Sequence, residues 1–226
     1  LTERISEPVI IINFKAYGEV EKAGALSLAE ACESVSKETG VCICACPPAV
    51  DLGYVSRKVS IPVFSQNADP YESGSATGWA TPSMIKGCGA AGTLINHSEH
   101  KVPMPQIGKC VELSKRSELV TVVCADDVLT AVQAAEFTPN FIAVEPPELI
   151  GGDISVTTAN PMIIEESVAA VKKVNGSVLV LCGAGVKTGD DVKAALDLGA
   201  SGVLLASGVV KAKDPVAVLL DLVKHI

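Results

Sequence analysis

The sequence predicts an α/β protein, a closed (β/α)8 barrel. Three observations predict it. Eight short apolar runs recur along the 226 residues, about one every 28. Each run is apolar throughout rather than alternating, as a parallel strand covered on both faces should be. The segments between the runs carry helix start and stop signals. A doubly wound open sheet is the competing architecture, but it usually has fewer strands and would expose two edges. No linker, low-complexity stretch or charge run divides the chain, so residues 1–226 are expected to form a single domain.

The eight runs are residues 9–12, 41–45, 62–64, 93–95, 120–124, 141–144, 178–181 and 202–205. After the first, Val20, Leu28, Ala31 and Val35 form a helical stripe that Lys37 and Gly40 end. Asn160-Pro161 opens a helix with Ile164, Val168 and Val171 on one face and Gly176 as its stop. Thr188 and Asp191 have capping-box spacing ahead of Val192, Ala195 and Leu196, with Gly199 beyond, and Asp214-Pro215 opens the last helix. Polar N-caps, proline at the first helical position and glycine past the end are the expected devices.

Composition narrows the function. Hydrophobic residues make up 48% of the chain and charged residues 19%, which excludes a disordered tail. Aromatics are only 4%, so the core must be built from Val, Ile, Leu and Ala. A net charge of −8 without a basic block speaks against nucleic-acid and anionic-membrane partners. No apolar run approaches the ~18 residues of a membrane span. The run at 9–12 is too short for a signal-peptide core. The chain has eight cysteines, too sparse for a disulfide scaffold, and the placement of Cys42, Cys44 and Cys124 inside apolar runs points to reduced thiols in a cytoplasmic protein. Cys42, Cys44 and Cys46 share one strand face. With no partner cluster in view, they read as small barrel-interior side chains rather than a metal site.

A barrel of this kind concentrates its chemistry at the carboxyl ends of the strands. Asn13 and Lys15 follow the first run, on the same side if the strand continues through them. Gln66 and Asn67 follow the third, and Asn96, His97, Ser98 and Glu99 the fourth. Glu145 ends the sixth, stiffened by Pro146 and Pro147. Gly183-Ala184-Gly185 and Ala206-Ser207-Gly208 follow the seventh and eighth, two small-residue turns that suit an anion such as phosphate. The stretch Pro146, Pro147, Glu148, Leu149, Ile150, Gly151 and Gly152 has a stiff start, an apolar middle and a glycine end, as a closing lid would.

Five pieces together resemble the triosephosphate isomerase family in its short archaeal form. They are Asn13-Phe14-Lys15, Asn96-His97-Ser98-Glu99, residues 144–151, Leu181 to Val186 and Gly202 to Lys211. They occur in order over nearly the whole chain. The resemblance implies a TIM barrel that interconverts dihydroxyacetone phosphate and D-glyceraldehyde 3-phosphate in glycolysis and gluconeogenesis, without cofactor or metal. It implies Glu145 as the base, His97 as the electrophile, Asn13 and Lys15 as substrate-binding groups, and Glu99 as the acid that orients Lys15. Phe14, Ile150, Gly151, Gly185, Ala206 and Ser207 would complete the substrate and phosphate contacts. It further implies a homodimer or homotetramer in which residues 73–79, with Thr77-Gly78 at the tip and Trp79 following, dock near the neighbour's Asn13, Lys15 and His97. Another phosphate-binding barrel, such as a lyase or synthase, would share the glycine-rich rim but lack the Asn-x-Lys, Asn-His-Ser-Glu and Glu-Pro-Pro set. A non-catalytic phosphometabolite binder would have no use for Glu145, His97 and Lys15 together.

Overall fold

The computed structural model describes residues 5–146 and 156–226. Strands and helices alternate along the chain. In order they are β1 (Val9–Asn13), α1 (Gly24–Thr39), β2 (Cys42–Cys46), α2 (Leu52–Val55), β3 (Phe64–Ser65) and α3 (Pro82–Gly87). Next come β4 (Gly92–Ile95), α4 (Met104–Arg116), β5 (Val120–Ala125), α5 (Val128–Ala135), β6 (Phe141–Val144), α6 (Val156–Ala159) and α7 (Pro161–Val174). The last are β7 (Leu179–Cys182), α8 (Gly189–Asp197), β8 (Gly202–Leu205), α9 (Ser207–Val210) and α10 (Pro215–Val223). The strands hydrogen-bond in the order β2-β1-β8-β7-β6-β5-β4-β3, every pair parallel. A parallel bridge between Ala45 and Val63 joins the two ends of this order, so the sheet curls into a nearly closed barrel.

The all-apolar strands divide their side chains between two cores. Val9, Ile11, Cys44, Cys46, Phe64, Leu94, Val122, Cys124, Phe141, Ala143, Leu181 and Leu204 fill the barrel interior. The alternate positions, among them Ile10, Ile12, Ile43, Ile95, Ile142 and Val203, pack outward under the helices. The period of two survives inside runs that show no polar alternation, because both faces are dry. Cys44 and Cys46 are interior side chains, with Cys42 packed partly buried against them, as the strand-face reading expects. None of the eight cysteines, all among the described residues, is in a disulfide.

The helix signals hold with local corrections. Gly40 caps α1 with φ +78°, and Thr188 and Asp191 form the reciprocal capping box of α8. Asp214 caps α10, its side chain accepting from the Ala217 N–H. Val20 lies in a separate 3-10 turn (Gly18–Val20) rather than in α1. Gly176 is not the stop of α7. That helix ends at Val174, and the Asn175 side chain draws the chain away by accepting from the Ser177 N–H and hydroxyl. The third strand is shorter and later than residues 62–64. Pro62 has no N–H for the ladder and contributes only its carbonyl, which accepts from Ala45. Among the described residues, no helix is long and apolar enough to cross a membrane.

Candidate active site

The end of β1 is built as a fixed turn. Asn13 is the last strand residue and is buried. Lys15 does not continue the strand: its φ is +51°, a left-handed conformation that a lysine holds only with support. The support is visible. The Lys15 N–H donates to Asn13 Oδ1 at 3.0 Å, and Gln66 Nε2 donates to the carbonyls of Lys15 (3.0 Å) and Cys46 (2.9 Å). The turn therefore aims the Lys15 side chain across the rim, where Nζ meets Glu99 Oε1 at 2.8 Å.

A second left-handed residue sits at the end of β4. Asn96 has φ +63°; its Nδ2 donates to the Cys124 carbonyl at 2.9 Å and its Oδ1 accepts from the Val102 N–H at 3.1 Å. This clamps the turn that presents His97. The His97 ring is buried, and its Nδ1 accepts from the Glu99 N–H at 3.1 Å. An Nδ1 that accepts must be unprotonated, so this bond assigns the proton of the neutral ring to Nε2. Burial, then the Lys15 charge, pushes the His97 pKa down to about 4, with Glu99 opposing.

Glu145 leaves β6 facing that ring. Its N–H donates to the Ala125 carbonyl at 2.8 Å, and its Oε1 lies 3.8 Å from His97 Nε2. The carboxyl group is buried, and Oε2 has no hydrogen-bond partner among the described residues. Burial raises its pKa to about 7, against the lowering effects of the Cys124 thiol and the Lys15 charge. A carboxylate here is poised near neutrality, as a general base needs.

The remaining wall belongs to the turns after β7 and β8. Gly183, Gly185, Ala206, Ser207 and Gly208 line one cleft with Asn13, Lys15, His97 and Glu145. Gly185 has φ +70°, a conformation that glycine adopts without strain. Tyr17 and Lys187 line the cleft as well and escaped the sequence reading. Both lie beyond the strand-end motifs, where pattern alone gives no signal, although Lys187 follows Gly185 by only two residues. Phe14 is not on the cleft: its ring is fully buried in the outer core. Pro146 is buried, whereas Pro147, Glu148, Leu149, Ile150, Gly151 and Gly152 lie outside the described residues. Among the described residues, no group of three His, Cys, Asp or Glu is arranged to hold a metal ion.

A near-neutral carboxyl and an uncharged imidazole meet at the catalytic mouth of the barrel, beside a lysine and two glycine-rich turns. Fold and site thus define the class: a (β/α)8 barrel with a carboxyl–imidazole pair and a lysine in a cleft at the carboxyl ends of its strands. Comparison with known proteins gives the family. The triosephosphate isomerase family model matches residues 8–226. Triosephosphate isomerase of Methanothermobacter thermautotrophicus is 49% identical over 219 residues, covering 97% of this chain and 96% of that one. The enzymes of Methanothermus fervidus (47%; 97% and 99% covered) and Methanobrevibacter smithii (44%; 98% and 100% covered) are similar over the same span. A solved triosephosphate isomerase of Bartonella henselae shares the fold, with a TM-score of 0.77 at 18% identity, covering 96% of this chain and 99% of that one. The chain belongs to the triosephosphate isomerase family.

Proposed function

We infer that the chain interconverts dihydroxyacetone phosphate and D-glyceraldehyde 3-phosphate, serving glycolysis and gluconeogenesis, with residues 1–226 acting as one catalytic domain in the cytoplasm. The observation that carries the residue roles is the facing of Glu145 and His97 across 3.8 Å within a chain of this family. Glu145 takes the proton from C1 of the ketose and returns it to C2. The hydroxyl proton passes from O1 to O2, so the reaction balances without any added reagent. His97 Nε2–H donates to the oxygen on which charge develops, and Lys15 adds positive charge. A positioned base contributes ~10²–10⁴-fold and a fixed donor to an oxyanion a further ~10²–10³-fold.

Asn13 and Lys15 bind substrate, with the backbone at Phe14 between them. Glu99 orients two groups at once, Lys15 through its carboxylate and His97 through its N–H. Gly185, Ala206 and Ser207 receive the phosphate. By the family resemblance, Ile150 and Gly151 complete that site, and residues 146–152 serve as a lid that keeps water from the enediolate.

The same reading has copies of the chain associate as a homodimer or homotetramer through residues 73–79. These residues are mostly exposed, yet their base is braced. Asp69 Oδ2 accepts from the Ala80 N–H at 2.7 Å, Arg116 pairs with Glu72 at 2.7 Å, and the Tyr71 and Trp79 rings lie 4.8 Å apart. A groove lined by Ala16, Gln66, Glu99 and His100 opens beside Asn13, Lys15 and His97 to receive such a loop.

Incubation of the protein with dihydroxyacetone phosphate in D2O, followed by proton NMR, tests the reaction. The expected result is enzyme-dependent deuterium at C1 of the ketose together with glyceraldehyde phosphate carrying deuterium at C2. No exchange at either carbon would remove the proton-transfer assignment.

A further inference from the structure

We propose that Gly183 is a positioning residue for the base: the space left by its missing Cβ is the slot in which the Glu145 side chain stands. This rests on the reading of Glu145 as the base. A Cβ built on Gly183 would lie 2.3 Å from Glu145 Cγ, 3.0 Å from its Cδ and 3.2 Å from the Val144 carbonyl oxygen. The first distance is far inside van der Waals contact. It also falls on a methylene near the root of the side chain, not on a flexible tip.

The usual reason for a glycine is missing here. Gly183 is not among the residues with positive φ, whereas Gly185, two positions on, has φ +70°. Its backbone conformation is therefore one that alanine can adopt, and what glycine supplies at 183 is room.

Neither backbone is free to give way. The Gly183 N–H donates to the Val144 carbonyl at 3.0 Å, and the Glu145 N–H donates to the Ala125 carbonyl at 2.8 Å. Both Cα atoms are thus tied to the rungs that continue β5, β6 and β7 into the rim. The carboxyl group also interacts with the Cys124 thiol, a barrel-interior side chain. With the root pinned, relief comes through rotation of the Glu145 side chain, which carries the carboxylate off its line to His97 Nε2.

Gly183→Ala tests this in two arms. In the kinetic arm, kcat falls about 10²-fold, the scale of a 1 Å misplacement, while KM and affinity for 2-phosphoglycolate stay within about threefold. The rising limb of the pH profile of kcat/KM moves below its native position as the carboxyl leaves its dry slot. The stability arm needs no turnover. Gly183→Ala lowers Tm by at least about 3 °C in the native background and leaves it unchanged in the Glu145→Ala background, where the obstructing methylene is gone. If the single variant fails to fold, recovery in the double variant is the same result. A native-like kcat and pH profile, or an equal loss of Tm in both backgrounds, would overturn the proposal. A protein with no isomerase activity at all would instead sink the functional reading and leave the stability arm to judge the steric claim.

Discussion

His97 Nε2 lies 3.8 Å from Glu145 Oε1, and burial drives the proton affinities of the two groups in opposite directions. The imidazole is thereby held uncharged at neutral pH, and the carboxyl group is poised between its two forms. A neutral imidazole with its proton on Nε2 can donate to a substrate oxygen, and a carboxyl group near pH 7 can both take and return a proton.

The first prediction concerns protonation. His97 stays neutral as pH falls through 6.5 and titrates only near 4, while kcat/KM rises with pH along a limb near 7 that belongs to Glu145. Nitrogen-15 NMR of the imidazole from pH 8 to 5 reads the first directly. An imidazolium signal at pH 6 would contradict the assignment.

The same two groups shape stability in opposite senses. The folded-state pKa of Glu145 is raised, so the folded chain binds the extra proton and stability declines as pH rises from about 4.5 to about 7. The His97 pKa is lowered, so the unfolded chain binds the extra proton and stability grows as pH rises from about 4 to 6.5. Glu145→Gln removes the first effect. Urea unfolding of that variant at pH 8 shows a gain on the order of 3 kcal/mol over the native protein, and the gain shrinks by pH 5. Equal stabilities at pH 8 would mean that the carboxylate carries no burial cost.

Lys15 and Glu99 form a pair with separable roles. Lys15→Ala loses much of its affinity for 2-phosphoglycolate, because it removes a positive charge from an acidic protein's anion site. Glu99→Gln loses less, about 3- to 30-fold in kcat/KM, because the lysine stays and only its orientation slackens. Calorimetric titration of Lys15→Ala with 2-phosphoglycolate and steady-state kinetics of Glu99→Gln check the two; unchanged affinity in Lys15→Ala would make that lysine a surface charge.

Two phenylalanines, Phe64 and Phe141, stand among the barrel-interior side chains. Phe64 is fully buried, and Gly92 faces it so closely that a Cβ there would lie 2.7 Å from the ring. Phe64→Ala leaves a cavity that the closed sheet cannot collapse, with a cost of about 3–5 kcal/mol in urea unfolding. A loss below about 1 kcal/mol would show that the interior relaxes.

The strand and helix order was legible because buried parallel strands read as apolar runs between capped helices. The strand-end cleft residues were legible for the same reason: Asn13, Lys15, His97, Glu145, Gly185, Ala206 and Ser207 each sit at or just past a run and meet in one cleft. What escaped depends on backbone turns and distant neighbours. Left-handed φ at Lys15 and Asn96 is held partly by near neighbours, Asn13 and Val102, and partly by distant ones, Gln66 and the β5 carbonyl of Cys124, which a local pattern does not show. The two-residue β3 reflects Pro62, whose missing N–H outweighs its apolar neighbours. Phe14 stands between two cleft residues yet points away, because it continues the outward alternation of Ile10 and Ile12 into the outer core, its N–H donating to the Cys46 carbonyl at 3.0 Å.

In the proposed reaction Glu145 moves a proton between two carbons of a triose phosphate. The most direct measurement is turnover of glyceraldehyde 3-phosphate, coupled to reduction of the ketose product, for the native protein beside Glu145→Gln. Rapid isomerisation by the native chain is expected, with a loss of at least about 10³-fold in kcat in the variant and 2-phosphoglycolate still bound. Near-native turnover by Glu145→Gln, or none by the native protein, would contradict the proposed reaction.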